Sequence, residues 1–370
     1  MPDGDMRREA YMECGELSML FFCAMPSEGR RVEQRHWCEA YSLLLGLPSP
    51  ASAEAGVVGR QFSDISGRAF VVDAYGVELS RRLLPDGLHQ RQSRATERAI
   101  LRPIIAAGVA GREQPSAIFS GVLPQPALEA EDGRRQLERR GIVPDGVLSL
   151  PGLFPSVTTR AQRAAALREF LAEVKNIHDD TEWYRRARVA MAGGAPRGRA
   201  ADLRAGAIHR DYELRAMALD RTHHGVQVAR GADGRQVPVG GPGPVLRRLR
   251  EYPPVQGLVV GPRADTSAAL LTLIAVAARA AAGAHWRLMG AQRAEDAQSF
   301  LAGTLRRDLA MAVIRAEAQL RVERARRMRR WDRGERVWAA VDVDEDDPIA
   351  EAVDDFDRGL EPAAAAHVRR

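Results

Sequence analysis

Lysine is almost missing from this chain: of its 54 basic residues 53 are arginine, and the one lysine is Lys175. Aromatic residues are scarce as well, at 5%, so a core has to be assembled mainly from Ala, Leu, Val and Ile. The three cysteines, Cys14, Cys23 and Cys38, form no CxxC pair. Their odd number argues against a disulfide scaffold and fits a reducing, intracellular compartment, the nucleus in a eukaryotic cell. Cys14, Cys23, His36 and Cys38 match no structural zinc spacing and read as small buried groups. Long apolar runs are few. Leu17–Met25 is too short to span a bilayer, and Ala268–Ala284 carries Arg279 and is rich in alanine, so it reads as a buried helix and no membrane partner is expected. The first ten residues mix both charges, unlike a signal peptide.

Several reaction classes are absent by motif. There is no HExxH, and no Ser or Cys nucleophile has a supporting context. Gly240-Gly241-Pro242-Gly243 lacks the following Lys-Ser/Thr of a phosphate cradle. Asp342, Asp344 and Asp346 imitate the start of a calcium loop, but Asp347 stands where glycine is needed and Val353 where the closing acid is needed.

What is present is a chain of 370 residues, enough for two domains or one large domain with extensions. Its 45% hydrophobic and 28% charged residues are those of a globular protein. A net charge of +5 and a pI near 9.5 permit polyanion binding. Residues 1–66 read as a poorly defined leader, with a helix over Val32–Leu45, a stop at Gly46 and a linker over Pro48–Ala55. A core over 86–265 follows. Its pattern predicts a helix over 89–108 interrupted by Pro103, strands over 112–119, 142–150, 170–177 and 255–260, and a helix over 199–223. A shorter helix is expected at 160–168 and a hairpin around Asp233-Gly234. Residues 266–330 read as a helical extension and 331–370 as an acidic, disordered tail. This order predicts an α/β fold, a mixed sheet flanked by helices with a helical C-terminal addition.

The lysine lies in a chemically suggestive setting. Residues i and i+2 of a strand share a face, so Glu173 and Lys175 project together while Val174 packs on the other side. If the strand holding Pro144-Asp145 is a neighbour, Asp145 joins Glu173 there. Two carboxylates offer hard oxygen ligands to Mg²⁺ (or Mn²⁺), which acidifies a bound water and stabilises charge on a phosphoryl oxygen. Lys175 beside that water can orient it or stabilise the developing charge. Arginine, planar and bulky, cannot replace a compact ammonium there, which explains one lysine in an arginine-rich chain.

Pro144-Asp145 followed by Glu173-Val174-Lys175 resembles the PD-(D/E)XK (restriction-endonuclease-like) nuclease superfamily, and the order of predicted elements resembles it too. Within it, residues 142–330 look like nuclease-like domains of retroelement-encoded and uncharacterised proteins of unicellular eukaryotes. Phe170–Ile177, Arg199–Arg221, Gly243–Gly261 and Ala302–Arg324 carry that closer likeness. The resemblance implies a restriction-endonuclease-like fold and Mg²⁺-dependent endonuclease hydrolysis of DNA. Asp145, Glu173 and Lys175 would be the catalytic set, with Asp145 and Glu173 on the metal. Glu97 on the first core helix is a further carboxylate candidate for the metal. Family members often use a glutamine or tyrosine on the helix after the lysine strand; here that helix offers Arg204, His209 and Tyr212 at another spacing. Arg204, Tyr212, Arg326 and Arg327 are the candidates for contacting nucleic acid. A homodimer is compatible with this reading. The competing expectation is a catalytically silent nucleic-acid-binding or assembly module on the same fold.

Overall fold

The computed structural model describes residues 16–22, 32–84, 86–107, 109–113, 115–123, 142–149, 169–178, 183–187, 199–231 and 236–332. The expected helix at 160–168, the calcium-loop imitation and the acidic tail lie outside them. The described chain is a mixed α/β structure. Its elements begin with α1 (Glu16–Phe22), α2 (Gln34–Leu45), α3 (Pro50–Ala55), β1 (Gln61–Ser63), β2 (Ala69–Val71), α4 (Val77–Arg81) and α5 (Leu88–Ala106). Next come β3 (Ala110–Glu113), β4 (Gly146–Ser149), β5 (Phe170–Asn176), α6 (Ala200–His224) and the hairpin β6 (Val228–Arg230) and β7 (Gln236–Pro238). The last are α7 (Pro244–Arg250), β8 (Gln256–Val260), α8 (Ala268–His285) and α9 (Ala294–Asp332).

The central sheet has the order β3-β4-β5-β8, antiparallel except for the parallel β5–β8 pair. A parallel pair needs a crossover, and α6 with α7 supplies it. Alternation along the strands sends Val147, Leu171 and Val259 to one face, where they pack against Ile208, Tyr212 and Ala216 of α6 and Val245 of α7. Leu148, Phe170, Ala172, Val174 and Leu258 face the other side, against Ile100, Leu101 and Ile104 of α5, Leu273 of α8 and Leu309 and Val313 of α9. Gly257 lets α6 come close: a Cβ there would stand 2.6 Å from the Ala205 Cα.

The N-terminal elements pack on α9 in two further apolar clusters. Phe21, Ala40 and Leu44 meet Ala310, Met311 and Ile314; Val57, Phe70 and Leu79 meet Ala325 and Met328. Much of the expected leader is therefore structured, including the expected linker. The Ser49 side chain caps Ser52 N, Pro50 sits at the first helical position and Gly56 closes α3 at a φ of 65°. Two further differences from the sequence pattern have local causes. The strand expected over 112–119 stops at Glu113, with Pro115 following, and Ser116–Phe119 form a 3₁₀ turn. The long terminal helix is two helices, α8 and α9, joined by a turn at Gly290 with φ 69°. Pro103 is accommodated inside α5. α8 is long and apolar enough to cross a membrane by length and composition, yet one of its faces forms part of the core.

Candidate active site at the fork of β4 and β5

Asp145 lies one residue before β4, not within it. The β4–β5 ladder pairs Gly146 with Ala172 and ends there; Pro144 has no N–H to extend it. The Asp145 carboxylate takes over, its Oδ2 accepting the Val174 N–H at 2.7 Å. The strands diverge beyond this point, and the side chains at the fork line the divergence. Glu173 leaves β5 on the α6 side with its side chain 5% exposed, and its Oε1 forms an ion pair with Lys175 Nζ. Lys175, 35% exposed, and half-buried Asp145 are the parts of the group that reach solvent. Buried Glu97 of α5 acts electrostatically on Asp145 from the other side. It stands one turn before Leu101, whose side chain is 3.0 Å from where a Gly146 Cβ would be.

α6 contributes Tyr212. Its hydroxyl donates to Glu173 Oε2 and lies 3.3 Å from the Val143 carbonyl oxygen, while the residue is 1% exposed. Tyr212 therefore meets Glu173 inside the protein and presents no hydroxyl to a ligand at the surface. Burial pushes the phenol well above its usual pKa, and the charges of Glu173 and Asp145 push the same way. Both oxygens of Glu173 are thus fixed, one by an ammonium and one by a buried phenol.

Burial first, then the charges of Glu173 and Glu97, raise the Asp145 carboxyl well above the ordinary carboxylate range, with Lys175 opposing. The Asp145 and Glu173 carboxyls are hard oxygen donors of the kind that suits a divalent cation such as Mg²⁺ or Mn²⁺. Among the described residues, no three acidic, imidazole or thiol side chains already converge as ligands. A cation would use the lone pairs of the Asp145 and Glu173 oxygens that Lys175, Tyr212 and the Val174 N–H leave open.

The other residues singled out in the sequence lie apart from this group. Arg204 is committed to Asp211 at 2.6 Å and stacks over Trp183. Arg326 is exposed and 3.5 Å from Glu323, and Arg327 donates to the Asp86 carbonyl at 3.4 Å. Both lie on α9, which packs on the sheet face opposite Glu173 and Lys175. The same helix buries Arg321 and Arg324, while Arg326, Arg329 and Arg330 are exposed, so its basic run is divided between the interior and the surface. His209 accepts the Val255 N–H. Sequence reasoning did not reach the Tyr212–Glu173 contact, because nothing in the α6 pattern marks which face meets β5 at Glu173. Compared with family models, curated proteins and solved structures, the chain matches none of them.

Proposed function

We propose that this protein is a metal-dependent nuclease of restriction-endonuclease-like fold that hydrolyses phosphodiester bonds in DNA. The observation that carries the reading is the placement of Asp145 beside the Glu173–Lys175 pair, its carboxylate accepting the N–H of the Val174 between them. A strand-borne Glu173 and Lys175 could satisfy each other at any protein surface. The added Asp145 puts a second hard oxygen donor beside Glu173, the kind of ligand a divalent cation takes.

Asp145 and Glu173, with Glu97 behind, would hold the metal. When bound, the metal acidifies water and offsets charge on the phosphoryl oxygens. Lys175, reaching solvent beside Glu173, orients the attacking water and stabilises the negative charge that builds at phosphorus. Tyr212 and the Val174 N–H fix the two principal carboxylates before substrate arrives, so little reorganisation is needed during the reaction. The leaving 3′ oxygen takes its proton from solvent.

One observation favours a catalytically silent DNA-binding module: the Lys175 ammonium is held by Glu173. Cleavage of supercoiled and single-stranded DNA by purified protein with Mg²⁺, Mn²⁺ or EDTA separates the two. Metal-dependent cleavage falling at least ~100-fold in Lys175→Ala is the expected result. Folded, DNA-binding protein that never cleaves would leave the silent module standing.

A further inference from the structure

The chain contains one asparagine as well as one lysine, and the two are adjacent: Lys175 and Asn176. They point to opposite faces of β5. Lys175 joins Glu173 on the α6 side, and Asn176 shares the face of Ala172 and Val174, which packs against α5. Both polar atoms of the Asn176 amide are buried and without a hydrogen-bond partner among the described residues. An amide buried without partners costs roughly 1–3 kcal/mol. Leucine or valine would suit an apolar sheet–helix seam better.

The register of the seam gives the level at which Asn176 lies. Leu101 of α5 lies against Gly146, which pairs with Ala172. Six residues further along the chain from Ala172, about 20 Å, is His178; twelve residues back from Leu101, about 18 Å, is His89. Those two rings are 5.1 Å apart, so helix and strand run antiparallel in register. At the same pitch, Asn176 stands about 13 Å along β5 from Ala172, level with Gln92. Gln92 is buried, its Oε1 has no partner, and its Nε2 donates to Glu317 Oε2 at 2.6 Å. Glu317 in turn takes the Arg321 guanidinium at 2.8 Å. The two amides thus leave two acceptors and a donor unused at one level of the molecule, where His178 lies beside His89 and acts electrostatically on the Glu317 that Gln92 holds.

We infer that Asn176 is a positioning residue for Lys175, joined to Gln92 by an internal water and through Gln92 to the Glu317–Arg321 pair of α9. A buried water commonly makes about three hydrogen bonds to otherwise unsatisfied groups, and Asn176 and Gln92 offer three such atoms. The bridge holds the far end of β5 against α5, and with it the backbone from which Lys175 projects. The inference rests on Glu173 and Lys175 being the reactive pair, but its test does not depend on cleavage.

Single occurrence makes the test direct. With ¹⁵N-asparagine labelling the full chain gives one side-chain amide pair, and with ¹³C-lysine labelling one side-chain signal, so neither needs assignment. We expect the Asn176 amide protons to show a nuclear Overhauser contact to a long-lived water, lost in Gln92→Leu. Folded Asn176→Leu should shift the Lys175 signal, and Asn176→Ser, which keeps a polar group, should restore part of it. In cleavage, Asn176→Leu should lower kcat about tenfold or more with KM for DNA unchanged. If Asn176→Leu fails to fold, the Lys175 signal in Gln92→Leu is read in its place. Amide protons with no water contact, or a Lys175 signal unmoved in the folded variant, overturn the inference. Absence of cleavage in the unmodified protein would instead overturn the nuclease reading alone.

Discussion

Two buried charge clusters in this protein use the same kinds of side chain to opposite ends. At the β4–β5 fork, Asp145 and Glu173 stand beside Lys175, and burial, with the charges of Glu173 and Glu97, raises the Asp145 pKa well above its ordinary value. Along α9, Arg321 and Arg324 face Glu317 and Asp86. Arg324 holds both Asp86 oxygens, at 2.8 and 3.1 Å, and also donates to the carbonyls of Leu79 and Arg82. Glu317 is buried, which works against its charge, yet Arg321 beside it brings its pKa down to about 2. A third carboxyl there, Glu39, is pushed upward by burial despite Arg321, which spares the cluster an unmatched charge. The second cluster is neutralised and closed, as a structural tie must be. The first reaches solvent at Lys175, which leaves it open to the proposed cation and substrate.

The largest expected effect breaks the closed cluster. Arg324→Met leaves Asp86 buried and unpaired and should cost about 3–5 kcal/mol, or a fall in Tm on the order of 10 °C, in thermal or urea unfolding. Tyr212→Phe removes one donor from Glu173 and should cost about 1.5–3 kcal/mol by the same measurement. It should also weaken Mn²⁺ binding in calorimetry, since Glu173 loses its fixed orientation; unchanged affinity would separate Tyr212 from the site. Asp145→Asn should reverse the sign. The amide can still accept the Val174 N–H and carries no charge, so without metal this variant should gain about 1 kcal/mol at pH 7. The proposed metal site predicts that Mg²⁺ raises the Tm of the unmodified protein and not that of this variant.

The clusters should also respond oppositely to pH. Asp145 binds its proton more tightly folded than unfolded, so stability falls as pH rises from its ordinary value toward its folded one. The advantage of Asp145→Asn should therefore be small near pH 4 and grow above it. Glu317 is the reverse: with a folded value about 2 against an ordinary 4.5, its contribution is complete above pH 4.5 and is lost as pH falls toward 2. Urea unfolding of Glu317→Gln beside the unmodified protein over pH 3–7 checks this, the difference closing at the acid end. A metal at the proposed site would displace the Asp145 proton, so a Mg²⁺-induced rise in Tm should be larger at pH 7.5 than at pH 5.5.

Much of the central sheet was legible in the sequence because its strands are short apolar runs with a period of two. The pattern places β5 and β8 nearly to the residue. Lys175 stood out through composition, since the chain otherwise writes arginine. The N-terminal elements were hard to see for a physical reason: their apolar residues are divided among short pieces, each meaningful only against α9, some 250 residues later. The buried role of Arg321 and Arg324 was hidden likewise. A run of arginines resembles a polyanion surface until the chain delivers Asp86 and the carbonyls of Leu79 and Arg82 to its inner side. At the site, Asp145 and Glu173 could be paired by strand alternation, whereas the Tyr212 contact depends on how α6 is rotated over the sheet, which its mixed polar pattern does not fix.

The length of α9 has a consequence for synthesis. At 39 residues it runs about 58 Å and collects partners from α1, α2, α3, α4 and α5. Residues 16–84 leave the ribosome early, yet the surface they are built to cover is made last. At roughly 5–20 residues per second, translation keeps Phe21, Leu44, Val57 and Leu79 waiting for ~10–50 s before Met311 and Met328 exist. During that interval the nascent chain displays two apolar patches with nothing to cover them, so its yield in a cell should depend on the holding chaperones it meets while the rest is being made.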